Sequence, residues 1–487
     1  MLHSINPRTG AERDPIEESS VKDVAAAVDR ATAASSKFAA MPLAARAAYL
    51  RAVADALEAD RVAIVETADF ETGLGLARFT GELDRTTGQI RAFADTVEAG
   101  DFQEVIHTPA DPSAKPPRPD LRRMLIPVGP VGIFTPSNFP LAFGVAGGDT
   151  ASALAAGCTV VVKGHPSHPH SSELTARAFA QAATRIGAPA DTLVLVQSRA
   201  PEVSRALVNA PGIRAIAFTG SETVGRLLYD VAAARPDPVP FYGELGSLNP
   251  VFVGAAAAAA RGADIGKGLV ASMTMGSGQF CTKPGVVFVP TGPDGDAIVA
   301  AMEADLSPRE PNVLLNQGLQ QSLDAKVAAS RAVTGVREAV ATQSVPAEGF
   351  FAAPRLFEVD AKTFFASPAL RHEHFGPVSI IVRCGAAEMD DAAAQFDGQL
   401  TATIHADEAD MAWAQSLLPT LVEKAGRIVW NGYPTGVAVV AAMHHGGPYP
   451  ASTNALHTSV GTTAIRRFLR PVVFQNLPAS LLPKGLA

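Results

Sequence analysis

Cysteine is scarce in this chain of 487 residues: only Cys158, Cys281 and Cys384 occur. Three thiols so far apart cannot build a disulfide framework. They form no C-x-x-C pair or tight His/Cys cluster with zinc spacing. The His444-His445 pair and the His165, His168, His170 group come nearest, and histidines beside Gly and Pro read as loop residues. Long apolar runs are missing too. Stretches such as 160–162 and 254–260 fall far short of the roughly 20 residues a membrane-crossing helix needs. The polar N-terminal segment lacks the apolar core of a secretory signal. Basic charge is in deficit, with 40 Lys+Arg against 48 Asp+Glu and a formal net charge of −8. That balance excludes nucleic acid as the main ligand, while single cations can still hold a small phosphorylated cofactor. Together these absences predict a protein of the reducing cytoplasm with neither membrane nor nucleic-acid partner.

What is present is apolar material, 47% of residues, enough for two or three domains at about 150 residues each. Residues 20–100 are Ala-rich with apolar positions at helical spacing, which predicts two or three amphipathic helices. A Pro-rich stretch at 108–119 reads as an exposed linker. Next, 121–136 carries a central Pro-Val-Gly-Pro turn, which demotes it to edge or hairpin strands. Beyond it, helical stretches at 141–156, 171–186, 202–209 and 222–234 alternate with apolar strands at 159–163, 193–197 and 215–219. The strand pattern resumes at 250–253, 285–290 and 378–382. Such alternation indicates βαβ units, hence an α/β chain with two parallel-sheet domains in series. The alanine run 255–260 reads as a loop passing into a helix. The tail, 470–483, contains a strand-like Val-Val-Phe suited to pairing with another element or another subunit.

Four segments place reactive or permissive residues in turns. Cys281 lies in GSGQFCTKPG, where glycines let the backbone approach a ligand; a buried structural thiol fits the same context. Cys158 and Cys384 read as structural. Glu244 lies between two glycines in FYGELGSLNP, and partial burial would raise its pKa into the range of a general base; an ordinary turn carboxylate fits as well. Asn138, in SNFP at a strand terminus, can donate to a developing oxyanion or simply cap a Pro-bounded turn. Gly220 and Ser221, in FTGSETVG, lead from a strand into a helix whose N-terminus can face phosphate.

The ordered set Asn138, Lys163, Gly220-Ser221, Glu244-Leu245-Gly246, Gly278-Gln279-Phe280-Cys281 and Glu373-His374-Phe375-Gly376-Pro377 resembles the aldehyde dehydrogenase superfamily, from about residue 20 to the C-terminus. The resemblance implies roles. Cys281 is the nucleophile, Glu244 activates thiol or water, and Asn138 shares the oxyanion hole with the Cys281 N–H. Lys163 contacts the adenosine ribose, and Gly220 and Ser221 approach the pyrophosphate. Glu373 binds the nicotinamide ribose, with Phe375 on the same cofactor-binding segment. It also implies the architecture: an aldehyde dehydrogenase-like α/β fold with two Rossmann-like parallel-sheet domains and a small β oligomerisation element. A cofactor domain would take 1–114 and 134–245, a catalytic domain 246–465, and a bridging element 115–133 with 466–487, assembling a homodimer or homotetramer.

Two departures refine the cofactor and substrate. Many NAD-preferring members carry an acidic residue three positions after the lysine; here it is Pro166. Without that carboxylate a 2′-phosphate is not repelled, and Lys163 and Arg199 could pair with it, so NADP is expected alongside NAD. Ser137 stands where many relatives have Trp. Three stretches, NFPLAFGVAGGDTASALAAGC, GELGSLNPVF and NGYPTGVAVVAAMHHGGPYPAST, are similar to the α-ketoglutaric semialdehyde (2,5-dioxovalerate) dehydrogenases. This subgroup resemblance implies oxidation of 2,5-dioxopentanoate to 2-oxoglutarate. The alternatives are a broad-specificity NADP-dependent aliphatic aldehyde dehydrogenase or a catalytically silent nucleotide-binding relative. The residue that would hold the substrate carboxylate is not legible in the sequence.

Overall fold

A computed structural model describes residues 1–340, 343–483 and 485–486. Four helices open the chain: α1 Val21–Ala39, α2 Leu43–Ala59, α3 Arg61–Thr72 and α4 Leu76–Ala99. Two or three were expected from the periodicity. The break that periodicity cannot reveal is Asp60, which ends α2 and at once begins α3. α1 starts at a reciprocal cap, Ser20 with Asp23, that satisfies otherwise orphaned N–H groups.

The next elements are β1 Ile106–Thr108, β2 Leu121–Pro127, β3 Val131–Phe134, α5 Gly148–Ala156, β4 Val160–Gly164 and α6 Pro169–Ile186. They are followed by β5 Leu193–Gln197, α7 Pro201–Asn209, β6 Ala215–Thr219, α8 Glu222–Ala233 and β7 Phe241–Glu244. Five of these strands form a parallel sheet in the order β5-β4-β3-β6-β7. Its direction of growth reverses at β3, which opens a ligand crevice at the carboxyl ends of the strands. Two expectations are corrected here. β2 and β3 are neither edge nor hairpin strands: each is the central strand of its own sheet. Pro127 and Pro130 fall at the strand ends, where a missing N–H costs little. Residues 141–147 are not helical, and α5 begins only at Gly148. A Cβ at Gly144 would stand 1.8 Å from Pro140 O, so the chain coils here more tightly than side chains allow.

The second half contains β8 Val251–Val253, α9 Ala255–Thr274, β9 Val286–Pro290, α10 Pro293–Leu306, β10 Asn312–Val313, α11 Gln317–Arg331 and β11 Arg337–Glu338. It continues with β12 Phe351–Ala352, β13 Arg355–Asp360, α12 Ala361–Ala366, β14 Val378–Cys384, α13 Ala386–Ala394, β15 Gln399–His405, α14 Met411–Lys424 and β16 Ala425–Trp430. A seven-stranded sheet runs β11-β13-β14-β9-β8-β15-β16, parallel except for the edge strand β11. Its core is apolar on both faces, with Phe252 and Phe288 stacked at 4.8 Å. The alanine run is the start of α9 itself. The tail strand β17 Leu469–Gln475 pairs antiparallel with β2 of the same chain, and β1 flanks the other side.

Candidate active site

Glu244 is the last residue of β7 and faces Thr219 across the ladder. Cys281 comes from the other half of the chain, after a tight turn in which Gly276, Ser277 and Gly278 all have positive φ (56°, 61° and 69°). At Gly278 only glycine fits, since a Cβ would stand 2.2 Å from Gly376 O. The two motif segments GSGQFC and EHFGP therefore pass backbone against backbone. Asn249, fully buried at φ 51°, fastens the cysteine loop. Its Nδ2 donates to Cys281 O at 2.8 Å and to Lys283 O at 2.9 Å, while Oδ1 accepts from Ser247 and Thr401.

Glu244 accepts two side-chain hydrogen bonds. His445 Nε2 stands 2.9 Å from Oε1 and Ser459 Oγ donates to Oε2 at 2.8 Å, and the Cys281 sulfur lies within 4.8 Å of the carboxylate. An ionised carboxylate only accepts, so His445 carries its proton on Nε2. That nitrogen also lies 3.4 Å from Cys281 Sγ. The ligand atoms of Glu244, Cys281 and His445 all lie within 4.8 Å of one another. The expectation of a raised Glu244 pKa is corrected. Burial pushes it up, but the neighbouring His445 and the hydrogen bonds the carboxylate accepts outweigh burial and hold it below the usual carboxylate value. Cys281 is pushed the other way: burial, then the charge of Glu244, raise it well above an ordinary thiol. At neutral pH the resting pair is a thiol and a carboxylate.

Asn138 is buried, and its Nδ2 donates one hydrogen to Gln279 O at 2.8 Å. Its second N–H has no acceptor among the described residues and can serve a ligand beside the cysteine turn. A cavity of about 290 Å³ opens at Cys281, walled by Phe139, Phe143, Phe280, His445, Arg78 and Arg85. The arginines come from α4, as does Glu82, whose carboxylate receives the N–H groups of Leu141 and Ala142 and the Arg78 guanidinium.

The cofactor candidates gather at the crevice. Lys163, at the carboxyl end of β4, is buried, and its Nζ has no hydrogen-bond partner among the described residues. Burial lowers it to about 8 despite the nearby Glu18 carboxylate. Gln197 Oε1, at the end of β5, is likewise buried without a partner. Arg199 is exposed; its backbone N–H is held by Glu18 at 2.8 Å. Ser221 caps α8 by accepting from Val224 N, leaving earlier N–H groups of that turn to face an anion. Gly225 lets α8 lie against the Glu244 segment, because a Cβ there would meet Leu245 Cδ2 at 2.2 Å. Glu373 Oε2 would stand 3.0 Å from a Cβ on Gly246, and its charge is felt at Cys281. Burial raises Glu373 to about 7 although Lys283 and Lys326 oppose it. Phe375 is half-buried two residues on. Orphaned polar atoms at the ends of β4 and β5, together with an open helix N-terminus, fit a dinucleotide.

Sequence reasoning misses His445, Asn249 and Arg85. In the sequence His445 reads only as half of a His-His pair with poor metal spacing. Its one available signal is its place in the unusual stretch 431–453.

Fold and site together define a nucleotide-dependent oxidoreductase of the α/β class. The model of the aldehyde dehydrogenase family matches residues 1–470. The chain is 47% identical over 468 residues to alpha-ketoglutaric semialdehyde dehydrogenase 2 of Azospirillum brasilense, covering 95% of this chain and 89% of the relative. It is 44% identical to alpha-ketoglutaric semialdehyde dehydrogenase of Acinetobacter baylyi, covering 91% and 84%. Among solved structures, a variant of aldehyde dehydrogenase from Bacillus cereus superposes with a TM-score of 0.82 at 22% identity, over 97% of this chain and 92% of that one. The chain belongs to the aldehyde dehydrogenase family and is an NAD(P)-dependent aldehyde dehydrogenase. No helix among the described residues is long and apolar enough to cross a membrane.

Proposed function

We propose that the enzyme oxidises 2,5-dioxopentanoate to 2-oxoglutarate through Cys281, in the cytoplasm, as a homodimer or homotetramer. The observation that carries the chemistry is the convergence of Cys281, Glu244 and His445 within 4.8 Å of one another, with Cys281 and His445 on the cavity wall. The two relatives at 47% and 44% identity support the substrate. The open edge of β17 supports assembly, since an unpaired strand offers a row of N–H and C=O groups to another subunit.

The Cys281 sulfur adds to the aldehyde carbon. Its proton passes to Glu244, and the carbonyl electron pair moves to oxygen, where Asn138 Nδ2 and the Cys281 N–H donate. Bound NAD(P)+ supplies the two-electron acceptor that turns this adduct into a thioester. Glu244, once it has released the thiol proton to solvent, takes a proton from the water that attacks the thioester carbonyl; that proton passes to the departing Cys281 sulfur, and the acid product leaves as its carboxylate with loss of its own proton to solvent. His445 acts by holding Glu244 in place through Nε2–H. Gly220 and Ser221 take the pyrophosphate, and Glu373 and Phe375 the nicotinamide end.

For the adenosine end, Lys163 and Arg199 take a 2′-phosphate. Both cations bear on His165, whose pKa is driven well down by burial first and by their charges after His168. Glu18, held at Ser198 and Arg199, restores a carboxylate beside Lys163 and allows NAD as well. A steady-state screen of the dioxo acid, pentanal and benzaldehyde with both cofactors tests all of this. The expected result is the highest kcat/KM for the dioxo acid, with NADP used at least as well as NAD. Preference for neutral aldehydes would sink the substrate, and strict NAD dependence would sink the cofactor assignment.

A further inference from the structure

The cavity at Cys281 carries two guanidinium groups on one face of α4. Arg78, Gly81, Glu82 and Arg85 follow the i, i+3, i+4, i+7 spacing that puts side chains on one stripe, and all four line the cavity. The two arginines differ in what holds them. Arg78 donates to Glu82 at 3.0 Å and to Asn138 O at 3.3 Å, and its guanidinium lies 4.4 Å from the Phe139 ring centre and 5.0 Å from that of Phe280. Its charge is balanced by Glu82, and its body is part of the wall. Arg85 donates through Nη1 to Val437 O and has no ion-pair partner among the described residues. Glu82 receives the N–H groups of Leu141 and Ala142 and the Arg78 guanidinium; it makes no ion pair with Arg85 among the described residues, although its charge is felt there. Arg85 Nε is buried with no hydrogen-bond partner.

A buried N–H left without an acceptor is costly, more so on a cation. A guanidinium that lines a substrate cavity and has no ion-pair partner among the described residues marks the place where an anion completes the set. Between the arginines the wall is open, because a Cβ added at Gly81 would meet nothing within 4 Å. With C–C bonds of about 1.5 Å, a five-carbon aldehyde acid spans roughly 5 Å from reacting carbon to carboxylate carbon. Arg427, a third arginine, also has a buried Nε without a partner, but its Nη atoms are bound to Gly436 O and Pro434 O and it is not among the residues that line the cavity.

We propose that Arg85 is the specificity residue that receives the substrate's remote carboxylate, its guanidinium pairing with it while the aldehyde carbon lies at Cys281. This rests on the dioxo-acid reading of the substrate and names the group that selects it. Selection then comes from leaving a buried cation unpaired when a neutral aldehyde binds, which penalises the wrong substrate more than it rewards the right one.

The test is the ratio of kcat/KM for 2,5-dioxopentanoate to that for pentanal, a neutral aldehyde of the same chain length, in wild type, Arg85→Gln, Arg85→Lys and Arg78→Gln. Because both substrates are measured on one preparation, the ratio is independent of how much variant enzyme folds. The expected result is a wild-type preference for the acid, a fall in the ratio of about 30-fold or more in Arg85→Gln, and partial retention in Arg85→Lys. A preserved ratio in Arg85→Gln overturns the proposal while leaving the substrate reading intact, as does an equal or larger fall in Arg78→Gln. A wild-type enzyme with no preference for the acid overturns the substrate reading, and the clamp falls with it.

Discussion

Cys281 and Glu244 shift each other in opposite directions, and the sign of that coupling can be measured. The Glu244 charge raises the thiol, so the thiolate fraction at pH 8 is smaller than for a free cysteine, and alkylation should be slow. Removing the charge in Glu244→Gln lowers the thiol pKa, so iodoacetamide should label Cys281 faster, by roughly tenfold for each pKa unit recovered. The labelling rate should still climb with pH above about 8.5 in the wild type, because the raised thiol keeps ionising there. Turnover should move the other way, falling by about 10²-fold or more, since the base for thiol and water is gone. Slower labelling in Glu244→Gln would mean that the carboxylate promotes thiolate formation at rest, the reverse of charge repulsion between the two groups. The expectation of a raised Glu244 failed for the same reason: local sequence reveals burial, but not the donors that arrive from residues 445 and 459.

At the scale of elements, what was legible depended on whether the signal was local. Strands β5 and β6 have the limits their apolar runs suggested, because a strand buried on both faces needs no neighbour to announce itself. β13, β15 and β16 were missed. β15 reads QLTATIH and β16 AGRIVW, mixing polar residues into the run, and only their sheet partners make them strands. The residues of the motif set were readable by type and order, whereas Arg85, Asn249 and His445 matter only through what the fold brings beside them. α4 offers a test of this distinction. Gly88 lies in its interior, is exposed, and has nothing within 4 Å of an added Cβ. Gly88→Ala should therefore stabilise the protein by about 0.5–1 kcal/mol through helix propensity alone, seen as a higher urea midpoint at unchanged m. A lower midpoint would mean that this part of α4 is covered in the assembled enzyme.

At the scale of the molecule, the reacting groups come from two sheets, and one return segment joins them. After β16 the chain comes back to β7. Leu245 N donates to Ala451 O at 2.8 Å, Thr453 N to Gly243 O at 2.9 Å, and Gly243 N to Thr453 Oγ1 at 2.8 Å. The same segment delivers His445 and Ser459 to Glu244. Farther on, Ala464, Ile465 and Phe468 enter the core of the first sheet and its helices, and buried Arg467 pairs with Asp149 at 2.8 Å. Neither half can unfold without tearing this segment from the other, so the chain should melt as one cooperative unit. Calorimetry should give a single endotherm. NADP+ at about 100 times its Kd should move the whole of it upward, in keeping with about 2.7 kcal/mol of binding linkage. Two endotherms, with only the lower or the upper one responding to cofactor, would show that the return segment does not couple the halves. In that case the distance between Cys281 and Glu244 would be free to vary with domain motion, and the direct handover of the thiol proton to Glu244 would have to await closure on substrate.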